Sequence, residues 1–109
     1  RELAIGHEMP TRDFEIWIDE RTRIAVVFVT EAGCVVGFTV RLQALIGGQW
    51  REIRRYDSAH GVAHTDVLNW RGKTIEKLWY PDIRFEEALT FAIADLKANH
   101  LTYLRRFTQ

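Results

Sequence analysis

The stretch RRYDSAHGVAH, residues 54–64, gathers the side chains best suited to chemistry in this sequence. Two of the four histidines lie in it, His60 and His64. Asp57 precedes them, and Arg54, Arg55 and Tyr56 lead in. Histidine has an ordinary pKa near neutrality, so two imidazoles can share proton-donor and proton-acceptor roles. Arginine grips a phosphate through paired hydrogen bonds and stabilises developing negative charge. Metal-free RNA cleavage needs a base, an acid and a cation. His60, His64 and Asp57 are the candidate catalytic residues on this reading. Arg41, Arg54 and Arg55 would hold the substrate, and Tyr56 would stack on a base.

Two other readings compete. Asp57, His60, His64 and Asp66 offer oxygen and nitrogen ligands in the order D-x-x-H-x-x-x-H-x-D. If His64 begins a strand, His64 and Asp66 share a face. Such a set suits zinc or iron rather than calcium, although the spacing is no strong metal signature. The third reading is structural. DSAHG carries turn residues, Gly61 can take φ > 0, and Asp57 can accept backbone N–H bonds. The leading reading needs no metal and no cofactor.

The flanking elements must position this stretch. DFEIWID alternates, with Phe14, Ile16 and Ile18 on one side and Asp13, Glu15 and Trp17 on the other. IAVVFVT is apolar on both faces, as a central strand would be. VVGFTVRLQALI then places Val36, Phe38, Val40, Leu42, Ala44 and Ile46 on one apolar face. Gly47-Gly48 signals a hairpin. A two-residue loop there sets Ile46 against Gln49, Ile53 against Leu42, Tyr56 against Thr39 and Arg54 against Arg41. The last pair would form a small basic patch. HTDVLNW and KTIEKLW read as a second hairpin around Arg71-Gly72. It pairs Leu68 with Ile75 and Asp66 with Lys77.

After YPD, Phe85, Leu89, Ala92, Leu96, Tyr103 and Phe107 recur at helical spacing. Asp82 is the expected cap, and Glu86 and Glu87 suit the positive helix start. The even-numbered face of the 35–46 strand is the surface this helix would cover. The expected fold class is therefore α+β: an antiparallel five- or six-stranded meander with one long C-terminal helix packed on one face. Residues 1–12 are expected to be a tail and 13–109 a single domain. His7 falls in that tail, and His100 lies on the helix's apolar stripe.

Composition bounds the function. The 109 residues suit one domain, and four tryptophans and six phenylalanines supply core. Lys+Arg and Asp+Glu balance at 15 each, so net charge points to neither nucleic acid nor membrane. The one cysteine, Cys34, permits no internal disulfide and is expected to be a small buried thiol. No apolar run is long enough to span a bilayer, no signal peptide is visible, and a cytoplasmic location is expected.

From Val36 to about His100 the sequence resembles a family of small uncharacterised bacterial and archaeal proteins. Their hallmark is an RYD-x-AHG-x-x-H turn, a hairpin, and a helix of the type EALTFAIADLK. More distantly it resembles the TumE toxins of toxin–antitoxin pairs, which carry a comparable YDN turn followed by histidines. Arg55, Tyr56, Asp57, His60 and His64 match the shared turn, but His64 is followed by Thr65 and Asp66 rather than by a second histidine. The resemblance implies action on RNA or translation and pairing with an antitoxin protein. The alternative is a non-catalytic interaction module, such as a homodimer, using the exposed sheet face with Trp17, Trp50 and Trp79 as anchors.

Overall fold

The computed structural model describes residues 9–109; His7 lies outside them. Six strands follow one another: β1 (Thr11–Asp19), β2 (Thr22–Glu31), β3 (Cys34–Ile46), β4 (Gln49–Asp57), β5 (Ala63–Leu68) and β6 (Thr74–Tyr80). They form one antiparallel sheet in sequential order. A short 3-10 turn at Ala59–Gly61 joins β4 to β5, and α1 (Phe85–Phe107) closes the chain. The helix packs against β3, β4 and β5. The expected class is thus the observed one, with six strands.

The core lies between sheet and helix. Even-numbered residues of β2 and β3 point into it: Ile24, Val26, Phe38, Val40, Leu42 and Ala44 are all buried. Leu89, Ala92, Leu96 and Phe107 meet them from α1, at the spacing the sequence shows. Phe38 and Phe85 make an edge-to-face pair that seats the start of the helix. No helix among the described residues is long and apolar enough to cross a membrane.

The β3–β4 register departs from the expected one. Ile46 does face Gln49 across the Gly47-Gly48 turn, but the pairing shifts by one residue between Leu42 and Gln43. Beyond the shift Leu42 faces Arg54, Arg41 faces Arg55, Val40 faces Tyr56 and Thr39 faces Asp57. The cause is a β-bulge: one extra residue on β4 sits opposite a single step of β3, and alternation slips from there on. Ile53 enters the core, and the slip brings Tyr56 there too. Strict alternation cannot bury both, because they are three positions apart.

Three other expectations are corrected. Leu68 pairs with Thr74 rather than Ile75, because the register also shifts between Val67 and Leu68. Asn69 Oδ1 there accepts the N–H groups of Arg71 and Lys73, which builds a longer loop and leaves Ile75 exposed. The expected pair of Asp66 with Lys77 is present. Cys34 is exposed, not buried. It faces Glu31 at the tip of the β2–β3 hairpin, beside the turn at Ala32 and Gly33, where φ is positive. The helix cap is Arg84, not Asp82. Asp82 lies too far ahead of the first helical residue to reach its free N–H groups. The Glu87 carboxylate instead accepts the Arg84 backbone N–H (3.2 Å) and Nε–H (3.1 Å).

Candidate functional site

The bulge sends the residues of the turn to opposite sides of the sheet. Arg54 and Tyr56 go under the helix. Arg55 and Asp57 go to the open face, where Arg41 from β3, His64 and Asp66 from β5, and Lys77 and Trp79 from β6 join them by register. One central guanidinium organises this face. Arg55 Nη1 donates to Glu52 Oε2 at 2.7 Å, and Nη2 donates to Asp66 Oδ2 at 2.8 Å. Its Nε lies 3.4 Å from Asp57 Oδ2. Arg41 Nε faces Glu52 Oε1 at 3.1 Å, and Lys77 Nζ faces Asp66 Oδ1 at 3.3 Å. Three carboxylates and three cations therefore alternate across β3–β6.

His64 completes the cluster at the Asp57 end. It is 2% exposed, and the half-exposed Trp79 ring covers it at 4.8 Å between centroids. Its Nε2 lies 3.0 Å from Asp57 Oδ1 and its Nδ1 lies 3.1 Å from the Val62 carbonyl. Both ring nitrogens thus face oxygen acceptors. Asp57 Oδ1 also accepts the Ala59 N–H at 2.9 Å, which starts the turn. Ser58 ties the turn to β3: its Oγ accepts the Phe38 N–H at 2.9 Å, and its own N–H donates to the Phe38 carbonyl at 3.2 Å. Asp57 therefore fixes the turn, as the structural reading expects, while it also pairs with His64.

His60 stands elsewhere. It is exposed at the crest of the turn with φ +66, a left-handed conformation rarely adopted by a non-glycine residue. Holding it there costs on the order of 1 kcal/mol, a strain of the kind that collects at functional turns. Of the four residues offered as metal ligands, Asp57, His64 and Asp66 converge, with donor atoms all within 4.8 Å of one another. His60 is not part of that group. Arg55 and Lys77 supply positive charge to the two carboxylates, although the buried Asp66 Oδ1 accepts no hydrogen bond among the described residues.

Tyr56 is 2% exposed on the helix side. Its hydroxyl donates to Asp95 Oδ2, and the Tyr103 hydroxyl donates to the same carboxylate at 2.8 Å. Burial, with Asp95 reinforcing it, pushes the Tyr56 phenol well above its ordinary range. Arg54 Nε donates to the Tyr56 oxygen at 3.1 Å, and its guanidinium lies over the Tyr103 ring at 4.0 Å. So the basic patch on the open face is formed by Arg41 and Arg55, not by Arg41 and Arg54. Tyr56 presents no ring face on that side. Trp79 does, and its neighbour Lys77 lies 5.3 Å from its centroid. His100, on α1, is half-buried, and its Nδ1 lies 3.2 Å from the Lys97 carbonyl. Glu52 is a site residue that the sequence reading missed altogether; Lys77 was read only as the partner of Asp66, and Trp79 only as an interface anchor. The signal for Glu52 was the spacing of Ile53 and Tyr56, which only a bulge reconciles.

A six-stranded meander backed by one helix, with an ion-pair network spread over its uncovered face, places the chain among small two-layer α+β domains. The chain belongs to the family described as Domain of unknown function (DUF7718), which it matches over residues 9–109. Neither the curated proteins nor the solved structures contain a match to it.

The electrostatics of Asp66 yield a test. Burial alone would raise its carboxyl pKa, but the Arg55 hydrogen bond and the nearby Lys77 ammonium outweigh burial and hold it below the ordinary value. A depressed folded pKa means stability that is fully present above about pH 4 and is lost as pH falls through the folded value. Asp66→Asn should cost about 1–3 kcal/mol near neutrality. It should also flatten the acid limb of a plot of unfolding free energy against pH. Urea titrations across the acid range measure both, and an acid limb as steep as the parent's would contradict the assignment.

Proposed function

We propose that this is a small cytosolic protein of toxin–antitoxin or defence type that acts on single-stranded RNA through the 54–64 turn and the open sheet face beside it. One observation carries the reading: a half-exposed aromatic ring, Trp79, stands beside the accessible Lys77 on that face, with an exposed, strained histidine, His60, on the turn that joins β4 to β5. Stacking rings flanked by basic side chains on a sheet surface are what unpaired bases and phosphates require. The resemblance of the turn to that of the TumE toxins supports the same direction, with an antitoxin protein as partner.

The roles follow from accessibility. Arg41 and Lys77 have side chains about two-fifths exposed and can reach a phosphate. Arg55 is committed to three carboxylates and keeps the strands' charges in register. Trp79 offers the stacking face. His60 is the imidazole that can exchange a proton with a bound molecule, while His64 and Asp57 are buried or half-buried and hold the turn and Trp79 in place.

A short labelled single-stranded RNA should bind in a fluorescence anisotropy titration and weaken as salt rises. Trp79→Ala should lose about tenfold or more, since one base stack is worth ~1–3 kcal/mol. If cleavage accompanies binding, His60→Ala should abolish it and leave binding intact. Absence of binding, or affinity unchanged by Trp79→Ala, would refute the reading.

A second reading is favoured by the other end of the same face. Trp17 and Trp50 form an edge-to-face pair at 5.6 Å, both rings are exposed, and Arg23 lies 3.9 Å above Trp50. Exposed tryptophans beside an arginine are typical of interface anchors. On this reading a second copy of the chain covers the open face. Light scattering should then give twice the chain mass, and Trp50→Ala should return it to one; a monomer at every concentration would remove the idea.

A further inference from the structure

On the side of the sheet opposite the ion-pair network, a cavity of about 330 Å³ opens between the end of α1 and strands β4–β6. That volume is at the lower end for small-molecule sites. Ile53, Phe107, Trp70 and Tyr103 line it, and Arg54 and Arg106 bring two guanidinium groups to it. One carboxylate, Glu76, also borders it.

Arg54 is the informative residue. It is half-buried, and among the described residues its guanidinium makes a single hydrogen bond, from Nε to the Tyr56 hydroxyl. Among the described residues neither Nη group has a hydrogen-bond partner and no carboxylate pairs with the guanidinium. This contrasts with Arg55, one position on, which spends its whole donor fork on acidic neighbours. The Arg54 guanidinium lies over the Tyr103 ring at 4.0 Å and is anchored through Nε on the Tyr56 hydroxyl. An anchored fork with free donors matches a carboxylate, and a lining with apolar and aromatic side chains matches a flat ring.

We propose that this cavity is a binding site for a small aromatic carboxylate. The ring lies between Trp70 and Tyr103, and the carboxylate takes the Nη donors of Arg54 with Arg106 at the mouth. The site is independent of the open face and does not rest on the RNA reading.

The probe is 2-naphthoate, followed by calorimetry and by chemical-shift mapping of the intact protein. It should bind saturably, with shifts centred on Trp70 and Tyr103 and none at Trp79. The uncharged 2-naphthylmethanol should bind at least about tenfold more weakly, because it cannot use the guanidinium donors. Arg106→Ala, an exposed change that leaves the core untouched, should weaken 2-naphthoate several-fold. Arg54→Met should lose most of the binding, and Trp79→Ala should change nothing. No saturable binding into the millimolar range would overturn the proposal. So would equal affinity for the alcohol, or shifts confined to the open face.

Discussion

The guanidinium of Arg55 holds together a patch of sheet that would otherwise repel itself. Glu52, Asp57 and Asp66 stand on adjacent strands on one face, and Asp66 is only 3% exposed. Carboxylates so placed are costly unless each finds a cation. Arg55 meets all three, and Arg41 and Lys77 extend the alternation to either side. Burial alone would lower the Arg55 pKa, but its acidic neighbours outweigh burial and raise it further, so the residue is a fixed positive charge at every attainable pH. The turn at residues 57–61, the seat of His64 and the stance of Trp79 all follow from that arrangement.

A one-residue bulge makes this division possible. Without it, Arg54 would join Arg41 on the open face and Tyr56 would point to solvent. With it, two polar systems form on opposite sides from consecutive residues. Arg55 and Asp57 serve the open face. Arg54 and Tyr56 serve the helix side, where Tyr56, Tyr103 and Asn99 converge on Asp95. That half-buried bonding pins α1 to β4 at one rotation and translation, which hydrophobic packing alone specifies less sharply. The open-face and cavity readings both depend on this sorting.

Much of the fold was legible from residue order. Alternation in 35–46 marked the face that the helix covers, and the 85–107 stripe gave the helix and its packing side. Gly47-Gly48 placed one hairpin end correctly, and Asp66 with Lys77 was read from their charges. The interior of the β3–β4 ladder was not legible by counting back from the turn, because a bulge adds a residue without altering local composition. Its trace lies in Ile53 and Tyr56, two large core residues at odd spacing. Of the candidate site, Arg41, Arg55, Asp57, His64 and Asp66 were legible and do meet on one face, but the rest were not. Glu52 and Lys77 lie outside RRYDSAHGVAH, and strand pairing rather than sequence proximity brings them in. His60 and His64, close in sequence, play separate parts: one exposed on the crest, the other sealed beneath Trp79.

The face is thus a scaffolded surface rather than a loop with chance residues. Its charges are matched internally, which fits the chain's neutral total. The groups left reachable on it are Trp79, Lys77 and Arg41, with His60 on the adjoining turn. Arg55 and Asp66 should act as a coupled pair, and a double-mutant cycle with Arg55→Met, Asp66→Leu and the combined variant measures the coupling in denaturant unfolding. Each single change should cost about 3 kcal/mol by leaving a charge uncompensated, and the double should cost less than their sum by about 2 kcal/mol. Losses that add to within about 0.5 kcal/mol would show that the two residues do not depend on each other.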